Sequence, residues 1–309
     1  MEFKKALEGL LLSKGANGTS PHTIKVYQYG LNKFIKFLGS SNIEDIKKQD
    51  IERFFLFLRQ ESNLSEASLI NVWRGIRVLF IWAEKEIGCS RPDIDMPYPK
   101  APNKQVIPFT NDEVKRLLSA CSTTSQCITS NRASFRMKRP SAERDKAIIL
   151  SLLDTGMRVS ELARIKIEDL NLESGEIRIF PFCSGLKSKE RSVYIGKLSK
   201  STLWHYLSKK NFDLKDNVFQ THTSKEMNRT SIRQLLVSIG KRAEVANVYP
   251  HRFRHTFAIQ YLRNGGDIFT LQRILGYSSL EMVKGYLAIA KADCETAHRK
   301  ASPVDNWRL

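Results

Sequence analysis

The stretch from Ser90 to Pro108 constrains the chain more than any other feature, because Pro92, Pro97, Pro99, Pro102 and Pro108 all fall within it. Each proline fixes φ and removes a backbone donor, so neither a helix nor a central strand runs through such a segment. It reads as an extended connector between two separately packed parts. At 309 residues the chain is also longer than one ordinary core serves. The expected organisation is a helical unit over 1–100, a linker over 101–109, and a second unit over 110–309 that ends in a C-terminal tail.

The first hundred residues read as helices. Ser20-Pro21 is a start signal, a capping residue followed by proline at the first helical position. Ile24, Tyr27, Leu31, Phe34, Ile35 and Leu38 then recur at helical spacing until Gly39. A second helix is expected over about Lys48 to Gln60, with Ile51, Phe54, Phe55 and Leu58 inward. A third is expected from about Ser65 to Ile87, with Leu69, Val72, Ile76, Leu79, Phe80 and Ala83 as its stripe.

Beyond the prolines, Thr110-Asn-Asp-Glu113 is a capping box that opens a new helix. Residues 122–144 are polar and basic and read as a surface loop, either a solvated insertion or a DNA contact. A helix over about Asp145 to Leu153 leads into Asp154-Thr-Gly-Met-Arg158 and a second helix with Glu161 and Leu162. Two short strands are expected at Glu176 to Phe182 and Glu190 to Ile195, joined by Cys183-Ser-Gly-Leu-Lys-Ser-Lys189. Helical periodicity then continues to the end.

Charge points to the partner. The formal net charge is +18. Residues 1–100 carry 15 Lys and Arg against 12 Asp and Glu, a net +3, and the remaining 35 against 20 place +15 in the rest. Such an excess suits a polyanion, since phosphates neutralised by Lys and Arg release counterions. No apolar run is long enough to cross a bilayer, and Met-Glu-Phe-Lys-Lys lacks a signal-peptide core. The five cysteines, Cys89, Cys121, Cys127, Cys183 and Cys294, are odd in number and contain no C-x-x-C pair. Neither a disulfide framework nor a zinc site is suggested, and a cytoplasmic protein acting on nucleic acid is expected.

Three segments carry chemistry: Thr155-Gly-Met-Arg-Val-Ser-Glu-Leu162, His251-Arg-Phe-Arg-His-Thr-Phe-Ala258, and Leu275-Gly-Tyr-Ser-Ser279 with Tyr286 nine positions after Tyr277. Together they resemble the tyrosine recombinase (phage integrase) family, whose members carry T-G-x-R-x-S-E-L, H-x-x-R-H and L-G-H-x-S followed by Y in this order. The 26-residue interval from His251 to Tyr277 is similar to family spacing as well. The resemblance runs from Thr110 to about His298 with specific motifs, and the N-terminal helices match in layout.

The resemblance implies a mainly α fold with a small β-sheet: an N-terminal helical core-binding (SAM-like) domain plus a C-terminal tyrosine-recombinase catalytic domain. It implies site-specific cleavage and rejoining of double-stranded DNA at paired core sites through a 3′-phosphotyrosine, serving integration, transposition or resolution, with no cofactor and no metal. Tyr286 is the implied nucleophile, and Arg158 and Arg254 the implied cations. The chemistry asks for such groups, since charge growing on nonbridging phosphate oxygens is stabilised by fixed planar donors. His251 and Arg254, at i and i+3, share one helical face, and His251 either helps to deprotonate the tyrosine or holds the phosphate. His255 and Glu161 are expected to support the site from outside it, Glu161 by ordering an arginine or a helix end.

Two positions depart from the family pattern. Tyr277 stands where the family has His or Trp, and is either a hydroxyl donor to phosphate or a packing aromatic. Leu186 occupies the usual hairpin-lysine position, so the general acid is assigned to Lys187, with Lys189 in reserve. Ser278-x-x-Glu281 reads as a capping box that opens the Tyr286 helix. Trp307 and Leu309 are large apolar groups at the chain end; the resemblance implies a tail that packs into a neighbouring protomer of a homotetramer, and a tail folded back on its own domain is the alternative. The alternatives are a type IB topoisomerase-like enzyme, separable because it relaxes any supercoiled plasmid, and a catalytically impaired DNA-binding regulator, separable by covalent trapping.

Overall fold

The computed structural model describes residues 1–39, 41–61, 64–97, 99, 107–123, 127–129, 132–135, 138–181, 190–290, 302, 304 and 307. It divides into two compact units, 1–104 and 105–309.

Among the described residues the first unit holds four α-helices: α1 (Phe3–Ala16), α2 (Pro21–Leu38), α3 (Lys48–Glu61) and α4 (Glu66–Ile87). The Ser20 hydroxyl accepts the Thr23 N–H at 3.2 Å, and Gly39, at φ 75°, ends α2 as its sequence foretells. Ser65 caps α4 in the same way. Helix α1 has no sequence counterpart in the expected set of three. Glu2 gives it no side-chain cap, so its start carries no signal, although Phe3, Ala6, Leu7 and Leu10 are all buried. The core is aromatic. Phe34 lies against Phe3 and Phe54, with ring centroids 5.6 and 4.8 Å apart, and Trp73 meets Phe55 edge-on. Helices α2 and α4 approach closely because Gly30 faces the Val72 backbone; a Cβ there would stand 3.2 Å from the Val72 Cα.

The second unit contains α5 (Asn111–Ser122), β1 (Cys127–Thr129), β2 (Arg132–Phe135), α6 (Ala142–Thr155), α7 (Val159–Leu162), β3 (Leu170–Asn171), β4 (Glu176–Ile179), β5 (Arg191–Tyr194), α8 (Lys197–Leu207), α9 (Arg229–Arg242), α10 (Pro250–Arg263), α11 (Ile268–Leu275) and α12 (Glu281–Ala290). Both halves of the Thr110–Glu113 capping box are formed. Strands β3, β4 and β5 make an antiparallel sheet in that order, with Ile177 opposite Val193 and both buried. β3 is a third strand that its two-residue length hid from the sequence.

The segment read as a surface loop contains structure: β1 and β2 pair antiparallel, and α6 begins at Ala142. Arg139 and Arg144 are tied down rather than solvated, both pairing with Asp145, whose side chain is fully buried. A buried carboxylate needs such partners. Helix α10 lies against α6 and α12. A smaller apolar cluster of Ala258, Ile259, Leu262, Leu271, Leu275, Val283 and Tyr286 joins α10, α11 and α12. The described residues contain no helix long and apolar enough to cross a membrane.

Candidate active site

The site is assembled from chain turns and helix faces of the second unit. Helix α6 ends at Gly156, whose φ of 61° turns the chain toward Arg158. A Cβ on Gly156 would lie 2.3 Å from Phe257 Cδ1, so this turn needs glycine on two counts. The Gly156 carbonyl, exposed by the turn, accepts from Arg254 Nη1 at 2.8 Å. Arg254 Nη2 donates to the Leu275 carbonyl at 2.7 Å, and Nε donates to the Tyr277 hydroxyl at 3.3 Å. Three of the guanidinium's five N–H groups are thereby engaged, which fixes its plane between α6 and α11.

Arg158 is oriented by Glu161. The carboxylate accepts the Arg158 backbone N–H at 2.7 Å and Nη1 at 3.0 Å. Arg191 grips the same carboxylate with two bonds of 3.1 and 2.8 Å, while its Nε donates to the Ile274 carbonyl at 2.7 Å. Burial by itself raises the Glu161 pKa, but the bonds and charge of Arg191, then those of Arg158, outweigh it and hold the carboxyl below its ordinary value. Glu161 thus orders an arginine and a helix start together. The same Arg191 guanidinium packs on Gly276, where φ is 66° and a Cβ would stand 3.1 Å from Nη1.

Tyr277 follows Gly276. Its backbone is held by Gln272 through two 3.1 Å bonds. The ring lies near two guanidinium groups, Arg254 Cζ at 4.7 Å and Arg158 Cζ at 6.0 Å from its centroid. The hydroxyl stands 3.4 Å from that of Tyr286. Tyr277 therefore packs and hydrogen-bonds at once. Burial raises its pKa, but the Arg254 charge, the Tyr286 bond and Arg158 together bring it below the ordinary phenol value.

Tyr286 comes from α12, which starts at Glu281 with Val283 and Lys284 bonding back to the Leu280 carbonyl. The start is two residues later than a Ser278 capping box would place it, because the turn from Tyr277 continues through Leu280. The side chain is buried, and its hydroxyl meets His255 Nδ1 at 2.8 Å. Burial first, then the neighbouring Tyr277, push the Tyr286 pKa up.

His251 and Arg254 lie near the start of α10, about one helical turn apart. His251 is exposed to solvent on one side. Its pKa is lowered by desolvation on the inner side and then by Arg254 and Arg158. The His251 and His255 ring centroids are 6.3 Å apart. Arg158, Arg254, Tyr277 and Tyr286 are thus linked by direct contacts, with His251 beside them. Lys187 and Lys189 lie outside the described residues. Two residues had been left outside the site. His255 touches Tyr286 directly, and Arg191 is the common anchor of Glu161, Ile274 and Gly276. The H-x-x-R-H wording pointed to His255, but nothing in the local sequence singles out Arg191.

Residues 108–293 match the Phage integrase family, and residues 7–87 match its N-terminal SAM-like domain. The chain belongs to the phage integrase family, the tyrosine recombinases, which are DNA breaking and rejoining enzymes. It is 27% identical to tyrosine recombinase XerD of Listeria innocua serovar 6a, over 93% of this chain and 94% of the relative. It is 29% identical to tyrosine recombinase XerA of Thermococcus kodakarensis, over 93% and 92%. Among solved structures, the fold is similar to a lambda integrase dimer bound to a COC' core site, with TM-score 0.71 at 16% identity over 93% and 77% of the two chains. It is also similar to XerH bound to palindromic difH substrate in a post-cleavage complex, with TM-score 0.68 at 21% identity over 94% and 82%.

Proposed function

We propose that this chain is a site-specific recombinase that cuts and rejoins double-stranded DNA through a 3′-phosphotyrosine on Tyr286. The observation that carries the proposal is the Tyr286 hydroxyl held beside Tyr277 and His255, within a cluster that contains the fixed guanidinium of Arg254. Arg254 and Arg158 supply the charge that a pentacoordinate phosphorane needs on its nonbridging oxygens. Preorganisation supports this role, since each guanidinium is already anchored, Arg254 by two carbonyls and Arg158 by Glu161. His251, exposed on α10, donates to the same phosphate. Lys187 protonates the departing 5′-oxygen, with Lys189 as the reserve. The phosphotyrosine keeps the energy of the broken phosphodiester, so rejoining needs no nucleotide cofactor. The DNA-bound states of the lambda integrase and XerH neighbours support DNA as substrate.

The decisive experiment is covalent capture. A pool of randomised nicked duplexes is offered to the wild-type chain, and duplexes retained after denaturation are amplified as suicide substrates. Tyr286→Phe should bind the recovered duplex normally and form no adduct; an adduct from that variant overturns the nucleophile assignment.

A further inference from the structure

As the Tyr286 oxygen attacks phosphorus it sheds its proton, and the acceptor must lie within hydrogen-bond reach of that oxygen. Among the described residues two groups do: His255 Nδ1 at 2.8 Å and the Tyr277 hydroxyl at 3.4 Å. The shorter contact and the chemistry favour the imidazole, whose neutral form is the usual side-chain base near pH 7. Arginine has donors only, so Arg254 Nε gives its hydrogen to the Tyr277 oxygen. The Tyr286 hydroxyl lies between Tyr277 and His255, and its shorter contact is with His255. The row Arg254, Tyr277, Tyr286, His255 ends at an imidazole nitrogen, which accepts the Tyr286 proton in the tautomer that carries its hydrogen on Nε2.

We propose that His255, not His251, is the general base that takes the Tyr286 proton in strand cleavage and returns it in rejoining. The proposal rests on Tyr286 being the nucleophile. In the forward step the bond from Tyr286 Oη to phosphorus forms and the bond from phosphorus to the 5′-oxygen breaks. The phenol proton moves to His255 Nδ1, and the 5′-oxygen leaves with a proton from the hairpin lysine. No atom changes oxidation state.

The surroundings suit that role. The groups facing His255 are His251 and Arg254 from its own helix and Tyr286 from α12; Tyr277 stands behind Tyr286, with Arg158 near its ring. Burial, and then His251 and Arg254, lower the His255 pKa below its ordinary 6.5, so the imidazole is neutral and able to accept near pH 7. His251, four residues earlier and exposed, remains available to phosphate.

The test uses the full-length chain and single-turnover cleavage of the captured suicide duplex across pH. Wild-type cleavage should fall on the acid side with a midpoint below pH 6.5, as His255 gains a proton. His255→Ala should cleave about 100-fold more slowly or worse, with that acid limb gone and duplex binding retained. His255→Asn keeps an acceptor near the Nδ1 position but cannot serve as a base; it should stay slow and also lack the limb. Recovery of rate and limb in His255→Asn would mean that His255 only positions Tyr286, and would overturn the proposal. So would cleavage by His255→Ala at the wild-type rate. If Tyr286→Phe forms no adduct while His255→Ala cleaves normally, the nucleophile stands and only the base assignment falls.

Discussion

Glu161 is the residue on which most of the site's fixed charge converges, because one buried carboxylate holds both Arg158 and Arg191. Removing one partner of a buried pair leaves the others uncompensated and costs about 3–5 kcal/mol. Glu161→Ala should therefore lower unfolding stability by about that amount in urea, and cleavage by more than the stability loss explains. The pH dependence has a definite sign. The folded pKa of Glu161 lies below its ordinary 4.5, so its contribution is full above pH 4.5 and is lost as pH falls through the folded value. The stability gap between wild type and Glu161→Gln should be flat near neutrality and shrink in acid. A gap that widens in acid would contradict the depressed pKa. Tyr277 offers a second residue-scale test. Tyr277→Phe keeps the ring beside Arg254 but removes the hydroxyl joining Arg254 to Tyr286. It should bind DNA as wild type does and cleave more slowly; equal cleavage would reduce Tyr277 to a packing group.

Among elements, the α6–α7 turn contributes its own backbone to the site, through the Gly156 carbonyl that accepts from Arg254. Gly156→Ala adds a methyl at positive φ into Phe257 and Leu275. Left-handed strain and overpacking together cost about 2 kcal/mol or more. Because the Gly156 carbonyl anchors Arg254, single-turnover cleavage should drop along with the melting temperature. Thr110→Ala removes a cap far from Tyr286 in sequence and should cost about 1 kcal/mol of stability. Its cleavage rate at low temperature should match wild type. Element starts with side-chain caps, such as Ser20, Ser65 and Thr110, are legible because the signal is local. Uncapped or very short elements, α1 and β3, are not, since their stability comes from packing partners distant in the chain.

For the whole molecule, each unit has its own apolar core, and the charge is uneven between them. Fragment 105–309 should bind duplex DNA far more tightly than fragment 1–104 and show the steeper loss of affinity with salt. Equal affinities at matched salt would refute this division. Assembly is a proposal at the same scale: four protomers linked head to tail through the segment after α12. A chain ending at Ala301 should then bind a single half-site normally in a gel-shift assay, yet fail to pair sites or recombine. Recombination at the wild-type level by that chain would remove the tail from the assembly.

The residue types of the candidate site were written in three short motifs, and helix register alone put His251 and Arg254 on one face. The mainly helical fold with its small sheet was likewise legible, because apolar spacing, caps and prolines act over a few residues. What the sequence left open at Tyr277, phosphate donor or packing aromatic, became a contact with Arg254 and Tyr286 only once α10, α11 and α12 had packed around one apolar cluster. The meeting of His255 with Tyr286, 31 residues apart, has the same origin. So has the gathering of Glu161 and Ile274 around the Arg191 guanidinium. Such contacts depend on how helices cross and where carbonyls emerge, and these are set by the summed fit of side chains distant in sequence. Local spacing selects which groups are available, and tertiary packing decides which of them touch the Tyr286 hydroxyl.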